Sequence, residues 1–143
     1  KELSALNEEN KNSSQKPRNF KSIGEELCTE ILEKHLQRQV LNNVRPDFLI
    51  NPRTKRKMEL DVFDPQTNVA IEYNGIQHYK FPNKFHKTKE EFEAQQYRDD
   101  LKEKICKKVG INLISIPYTI DEGISDREIR REVLRQYILS RLA

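Results

Sequence analysis

Between Met58 and Tyr79, apolar and polar residues alternate along two short runs separated by Asp64-Pro65, a pair that favours a turn. The pattern predicts a β-hairpin. With Asp64 to Thr67 as a four-residue turn and Pro65 at its second position, Phe63 would face Asn68, Asp61 would face Ala70 and Glu59 would face Glu72. Alternation then sorts Leu60, Val62, Val69, Ile71 and Tyr73 to a face suited to a core, and Glu59, Asp61, Glu72 and Asn74 to the other.

Helical spacing governs the flanks. Ile23, Leu27, Ile31, Leu32 and Leu36 recur at helical intervals behind Ser22-Ile23-Gly24-Glu25, which fits a capping box, so a first helix is expected over about 22–38. Val40 to Ile50 leans towards β but is broken at Arg45-Pro46, which allows at most an edge strand. After a loop over 76–87, Thr88-Lys89-Glu90-Glu91 opens a second capped helix that should stop at Gly110. Ile111 to Ile116 is a short apolar strand closed by Pro117, placed to return to the sheet after the helix. Ser125-Asp126-Arg127-Glu128 opens a third helix, with Ile129, Val133, Ile138 and Leu142 on one face. The expected class is α/β, with a central mixed sheet flanked by helices.

Length and composition narrow this further. With 143 residues the chain supports one domain, and its 34% charged content contains no apolar run near the ~20 residues that span a bilayer. A soluble, intracellular protein is expected. Residues 1–21, polar and aperiodic, read as a linker or disordered segment, and 22–143 as the domain. The first residue is Lys and no signal sequence follows, which suggests a fragment of a longer protein. Cys28 and Cys106 fall in helical segments without partners at metal-site spacing, so both read as buried thiols.

The acidic face carries candidate chemistry. Carboxylates opposite one another destabilise a sheet, and an oxygen-only cluster calls for a hard divalent ion, usually Mg2+ with Mn2+ possible. The plain alternative is a solvated face of an amphipathic hairpin. Gly75 permits a sharp exit from the strand that would keep Gln77 and His78 beside the acids, although a lone histidine usually serves only as a structural hydrogen-bonder.

In order along the chain stand Gly24-Glu25, Arg45-Pro46-Asp47, Glu59-Leu60-Asp61, Ala70-Ile71-Glu72-Tyr73-Asn74-Gly75-Ile76-Gln77-His78-Tyr79, Asp99-Asp100-Leu101-Lys102 and Ile111 to Tyr118. This series resembles the very short patch repair endonuclease-like branch of the PD-(D/E)XK nuclease superfamily, the EDxHD homing-endonuclease type of phages and large DNA viruses. The resemblance covers about Ser22 to Tyr118. It implies a restriction-endonuclease-like core, Mg2+-dependent hydrolysis of DNA phosphodiesters, a catalytic set of Glu25, Asp61, His78 and Asp99, and roles for Glu72 and Gln77. Asp61 and Glu72 would hold the metal. The superfamily's lysine is missing, since Asn74 stands two residues after Glu72; Gln77, Lys80, Lys102 or His78 would take over its work. Asp47 completes a literal Pro-Asp pair but is set aside in favour of Asp61. Glu25 also suits a capping box, and Asp99 with Lys102 also suits an ordinary helical ion pair.

Cations cluster on both sides of the hairpin. Arg53, Lys55, Arg56 and Lys57 occupy one turn, and Lys80, Lys84 and Lys87 alternate with aromatics in the following loop, a composition suited to phosphates and unstacked bases. Double-stranded DNA is the expected partner, with a homodimer or a further DNA-binding domain needed to cut both strands. The competing readings are an inactive nuclease-fold DNA-binding module and a structural domain of a larger viral protein.

Overall fold

The computed structural model describes residues 18–142. Expectations for the first 17 residues lie outside that range. The elements run α1 (Ile23–Leu36), β1 (Leu41–Val44), β2 (Leu60–Asp64), β3 (Val69–Asn74), α2 (Lys89–Val109), β4 (Asn112–Pro117) and α3 (Arg127–Arg141), with single 3-10 turns at Ile76–His78 and Tyr118–Ile120. The strands form one sheet in the order β1-β2-β3-β4, antiparallel except for β3 and β4, which pair in parallel. A mixed α/β sheet is thus the architecture, and β1 is the edge strand anticipated before Arg45-Pro46.

Both faces of the sheet are covered. Leu27, Ile31 and Leu32 of α1 and Leu134 and Ile138 of α3 pack on Val62, Val69, Ile71, Ile114 and Ile116. On the opposite face α2 lays Cys106, Leu101 and Ile105 against Phe63, Ala70 and Leu60, with Leu49 and Met58 filling the flank. The acidic face is therefore roofed by a helix, which removes the solvated-face alternative: Glu72 is 5% exposed.

The hairpin register differs from the expected one by two residues: Phe63 faces Ala70 and Asp64 faces Val69. Asp64 belongs to the strand because its carboxylate has local work, accepting the Thr67 amide at 3.1 Å, the Thr67 hydroxyl and the Arg38 guanidinium. The turn therefore lies over 65–68. A slip of two preserves side-chain facing, so Asp61 and Glu72 stay on one side, and continuing the register by one step sets them opposite each other. Leu60 departs from alternation and joins Phe63's cluster instead of Val62's. The β2–β3 ladder ends at Val62 and Ile71, and beyond that pair Leu60 is held on the β1 side, opposite Val44.

Two helix starts match the capping chemistry in different degrees. At α2 the reciprocal box of Thr88 and Glu91 is complete, and Gly110 closes the helix with φ of 88°. At α1 the Ser22 hydroxyl accepts the Glu25 amide at 3.1 Å, but Glu25 returns its carboxylate to the Lys21 amide at 2.8 Å, one residue upstream of the box. At α3 the cap is Asp126 rather than Ser125, accepting the Ile129 amide at 3.0 Å. Its buried stripe is Leu134 and Ile138, whereas Ile129 is exposed. Among the described residues no helix is long and apolar enough to cross a membrane.

Candidate active site

Where the β2–β3 ladder stops, the two acids take over its hydrogen bonds. The Asp61 amide donates to Glu72 Oε2 at 2.8 Å, and the Tyr73 amide donates to Asp61 Oδ2 at 3.2 Å. Each carboxylate thus satisfies an amide on the facing strand that would otherwise be orphaned. This pins the acids side by side. Lys102, one side of α2, donates its ammonium to Glu72 Oε1 at 2.7 Å, with both side chains largely buried. Burial raises the Glu72 pKa, the charge of Asp61 adds to the rise, and Lys102 opposes both.

A cavity of about 470 Å3 opens over this pair. Its walls include Asp61 and Glu59 from β2 and its approach, Glu72 and Asn74 from β3, His78 from the 3-10 turn, Gln95, Arg98 and Lys102 from α2, and Arg45, Arg56 and Lys57 from the edge. His78 reaches it because Gly75 leads straight into the Ile76–His78 turn. Behind His78, its Nδ1 lies 2.8 Å and 3.1 Å from the two Asp99 carboxylate oxygens. Asp99 in turn accepts the Gln95 amide at 3.0 Å.

Other expected residues lie elsewhere. Gln77 does not line the cavity; its side-chain amide folds back against Gly75, where a Cβ would strike Oε1. Glu25 is buried and does not line the cavity, with Oε1 on the Lys21 amide and Oε2 without a partner among the described residues. Burial, reinforced by nearby Asp61, raises its pKa. Asp47 is solvent-exposed, paired with Lys57 at 2.5 Å, and does not line the cavity. Asp99 and Lys102 are not each other's partners: one serves His78, the other Glu72.

Of the seven cations expected to meet DNA, Arg56 and Lys57 line the cavity. Arg53 stacks its guanidinium 3.7 Å above the Tyr97 ring, which ties the basic turn to α2. Lys55, Lys80, Lys84 and Lys87 are exposed and away from the walls. Sequence reasoning passed over Lys21, Arg45, Gln95 and Arg98. A polar stripe at Gln95, Arg98, Asp99 and Lys102, spaced by three, four and seven, was the available signal for two of them. Lys21 offered none, because its ammonium meets Glu59 and approaches Asp61 Oδ1 at 3.6 Å only through the tertiary fold.

Among the described residues no group of three or more His, Cys, Asp or Glu gathers tightly enough to hold a metal by itself. Both thiols are out of play: burial pushes Cys106 up to about 11 and Cys28 higher still.

The chain is similar to three viral proteins, each bearing the name of an uncharacterized protein. It is 40% identical over 115 residues to protein 307L of Invertebrate iridescent virus 6, which covers 71% of this chain and 58% of that one. It is 46% identical over 99 residues to protein 033L of Invertebrate iridescent virus 3, covering 69% and 50%. With protein 094L of Frog virus 3 (isolate Goorha) the identity is 35% over 102 residues, covering 71% and 65%. The chain thus spans between half and two thirds of the length of these relatives. No family model matches it, and no solved structure matches it.

Proposed function

We propose that this chain is a metal-dependent endonuclease domain with a restriction-endonuclease-like core, acting on DNA phosphodiesters. The observation that carries the reading is convergence: Asp61 and Glu72 are held side by side, and His78, backed by Asp99, lines the same cavity. A mixed sheet with helices on both faces is the coarse architecture such a core requires.

The donor set fits a hard divalent ion. Asp61 and Glu72 offer oxygen only, the neighbouring thiols stay protonated, and Mg2+ is commonly held by one or two carboxylates with waters and phosphate oxygens completing its shell. When bound, such an ion would polarise the phosphate and lower the pKa of a coordinated water. The chain's own residues do the rest. His78 lines the cavity with Nδ1 tied to Asp99, which leaves Nε2 to move a proton at the attacking water or at the leaving oxygen. Lys102 supplies the ammonium absent at Asn74, arriving from α2 and reaching the same acid from a different direction. Arg45, Arg56 and Arg98 line the approach for phosphates.

Supercoiled plasmid incubated with Mg2+ or Mn2+ tests this. Wild-type protein should nick it, and Asp61→Ala or His78→Ala should slow nicking by on the order of 100-fold or more. Equal nicking by all three would overturn the assignment of this site. Absence of nicking together with salt-sensitive DNA binding would leave a binding module in its place.

A further inference from the structure

Gln95 has no assigned task, yet its position is tightly determined. Its Nε2 donates to Asp99 Oδ1 at 3.0 Å, and its Oε1 accepts from the Arg98 guanidinium at 2.9 Å. Arginine only donates, so the atom it touches must be the amide oxygen, which turns the amide nitrogen towards Asp99. The orientation of the amide is thereby set by its neighbours. Asp99 therefore receives two donors, Gln95 and His78 Nδ1, and the latter contacts both carboxylate oxygens.

We propose that Gln95 is the positioning residue for the His78–Asp99 pair: locked by Arg98, it holds the Asp99 carboxylate so that neutral His78 keeps its proton on Nδ1 and bares Nε2 to the cavity. The inference rests on reading that cavity as the place of proton transfer. Asp99 is half-buried on α2, with 28% of its side chain open to water. A carboxylate there has rotamers that point to solvent, and a donor one turn earlier removes that freedom. The second atom on Arg98 also links this arrangement to the cavity wall, since Gln95 and Arg98 both line it.

An ordinary helical Gln–Asp bond would add only a few tenths of a kcal/mol of stability and leave the imidazole unaffected. The discriminating experiment reads the imidazole itself. Ring nitrogen shifts of His78 are measured by 15N NMR across pH in wild type, Gln95→Leu and Gln95→Glu, beside the pH profile of plasmid nicking. Gln95→Glu keeps the shape and the acceptor for Arg98 but replaces the donor to Asp99 with a repelling oxygen.

In wild type the neutral ring should be mainly the Nδ1–H tautomer. In both Gln95→Leu and Gln95→Glu the Nε2–H tautomer should become substantial, because neither side chain donates to Asp99. Nicking should fall roughly 10-fold in both with KM unchanged, the size typical of losing an outer support of a functional imidazole. Wild-type tautomer populations in both variants would overturn the inference, even with nicking intact. A shifted tautomer in a protein that never nicks DNA would instead uphold the positioning and count against the nuclease reading. Should Gln95→Leu fail to fold, the isosteric Gln95→Glu carries the comparison alone.

Discussion

Lys21 holds the place that a divalent ion would contest. Its ammonium meets Glu59 and lies 3.6 Å from Asp61 Oδ1, on a side chain more than half exposed. An exposed ion pair contributes little and is easily exchanged, so a doubly charged ion should displace it. Lys21→Gln is expected to tighten Mn2+ binding several-fold by calorimetry; unchanged or weaker affinity would show that the ammonium does not compete. Glu25 makes a second prediction. Its raised pKa means that folding favours the protonated form, so its contribution is complete below the unfolded-state value and is lost as pH rises through the folded-state value. Glu25→Gln keeps an acceptor for the Lys21 amide and cannot ionise. It should melt above wild type at pH 7, and the gap should close as pH falls below the ordinary glutamate value, where both side chains are neutral. At this scale the placing of Asp61, Glu72 and His78 was legible because strand period and a glycine exit are local signals, whereas Asp99 entered only through the family resemblance. The partners of Lys102 and Lys21 were not, because an ammonium on a long stem finds its carboxylate in three dimensions and leaves no spacing behind.

Among the elements, the hairpin was readable in its faces except at Leu60 and misread in its register, since a two-residue slip is invisible to alternation. What decided the register was Asp64, whose buried carboxylate closes the turn and so belongs to the strand rather than to the loop. The third helix failed in a different way. One turn before Leu134 its inward stripe is Arg130, which donates to buried Asp121 at 3.0 Å, while Tyr73 donates its hydroxyl to the other Asp121 oxygen at 2.6 Å. A hydrophobic pattern assigns an arginine outward and so rotates the predicted face towards Ile129. The contact makes a prediction: Asp121→Ala leaves Arg130 and the Tyr73 hydroxyl without their shared acceptor and should destabilise the fold by about 3 kcal/mol in urea unfolding. A loss under about 1 kcal/mol would mean the network is only decorative. Tyr73 connects this lock to the site, because its ring lies against Gly24, where any Cβ would overlap it. Gly24→Ala should therefore cost roughly 1–3 kcal/mol and disturb the adjoining Glu25.

For the whole molecule, a net charge of +3 says little about nucleic acid, and distribution has to carry the argument. Most of the cavity cations already have acidic partners: Lys102 on Glu72, Lys57 on Asp47, Lys21 and Arg45 on Glu59. Arg56 and Arg98 are left facing the opening with the least ionic compensation, Arg98 bonded only to the neutral Gln95 amide among its described contacts. They are the groups expected to take up phosphates. Each phosphate contact releases counterions, so log K for DNA should fall with log salt at a slope of about 0.9 per contact. Neutralising Arg56 and Arg98 together should flatten that slope by up to about two. The same substitution of Lys80, Lys84 and Lys87, which stand outside the cavity walls, should change it less if DNA enters over the acids. Binding measured by fluorescence anisotropy on a short duplex at several salt concentrations separates the two groups. An equal effect from the outer loop would place the DNA path across that loop, and no effect from Arg56 and Arg98 would remove the cavity from the path altogether. Charge counting along the chain marked both clusters alike; the fold distinguishes them by which one borders Asp61 and Glu72.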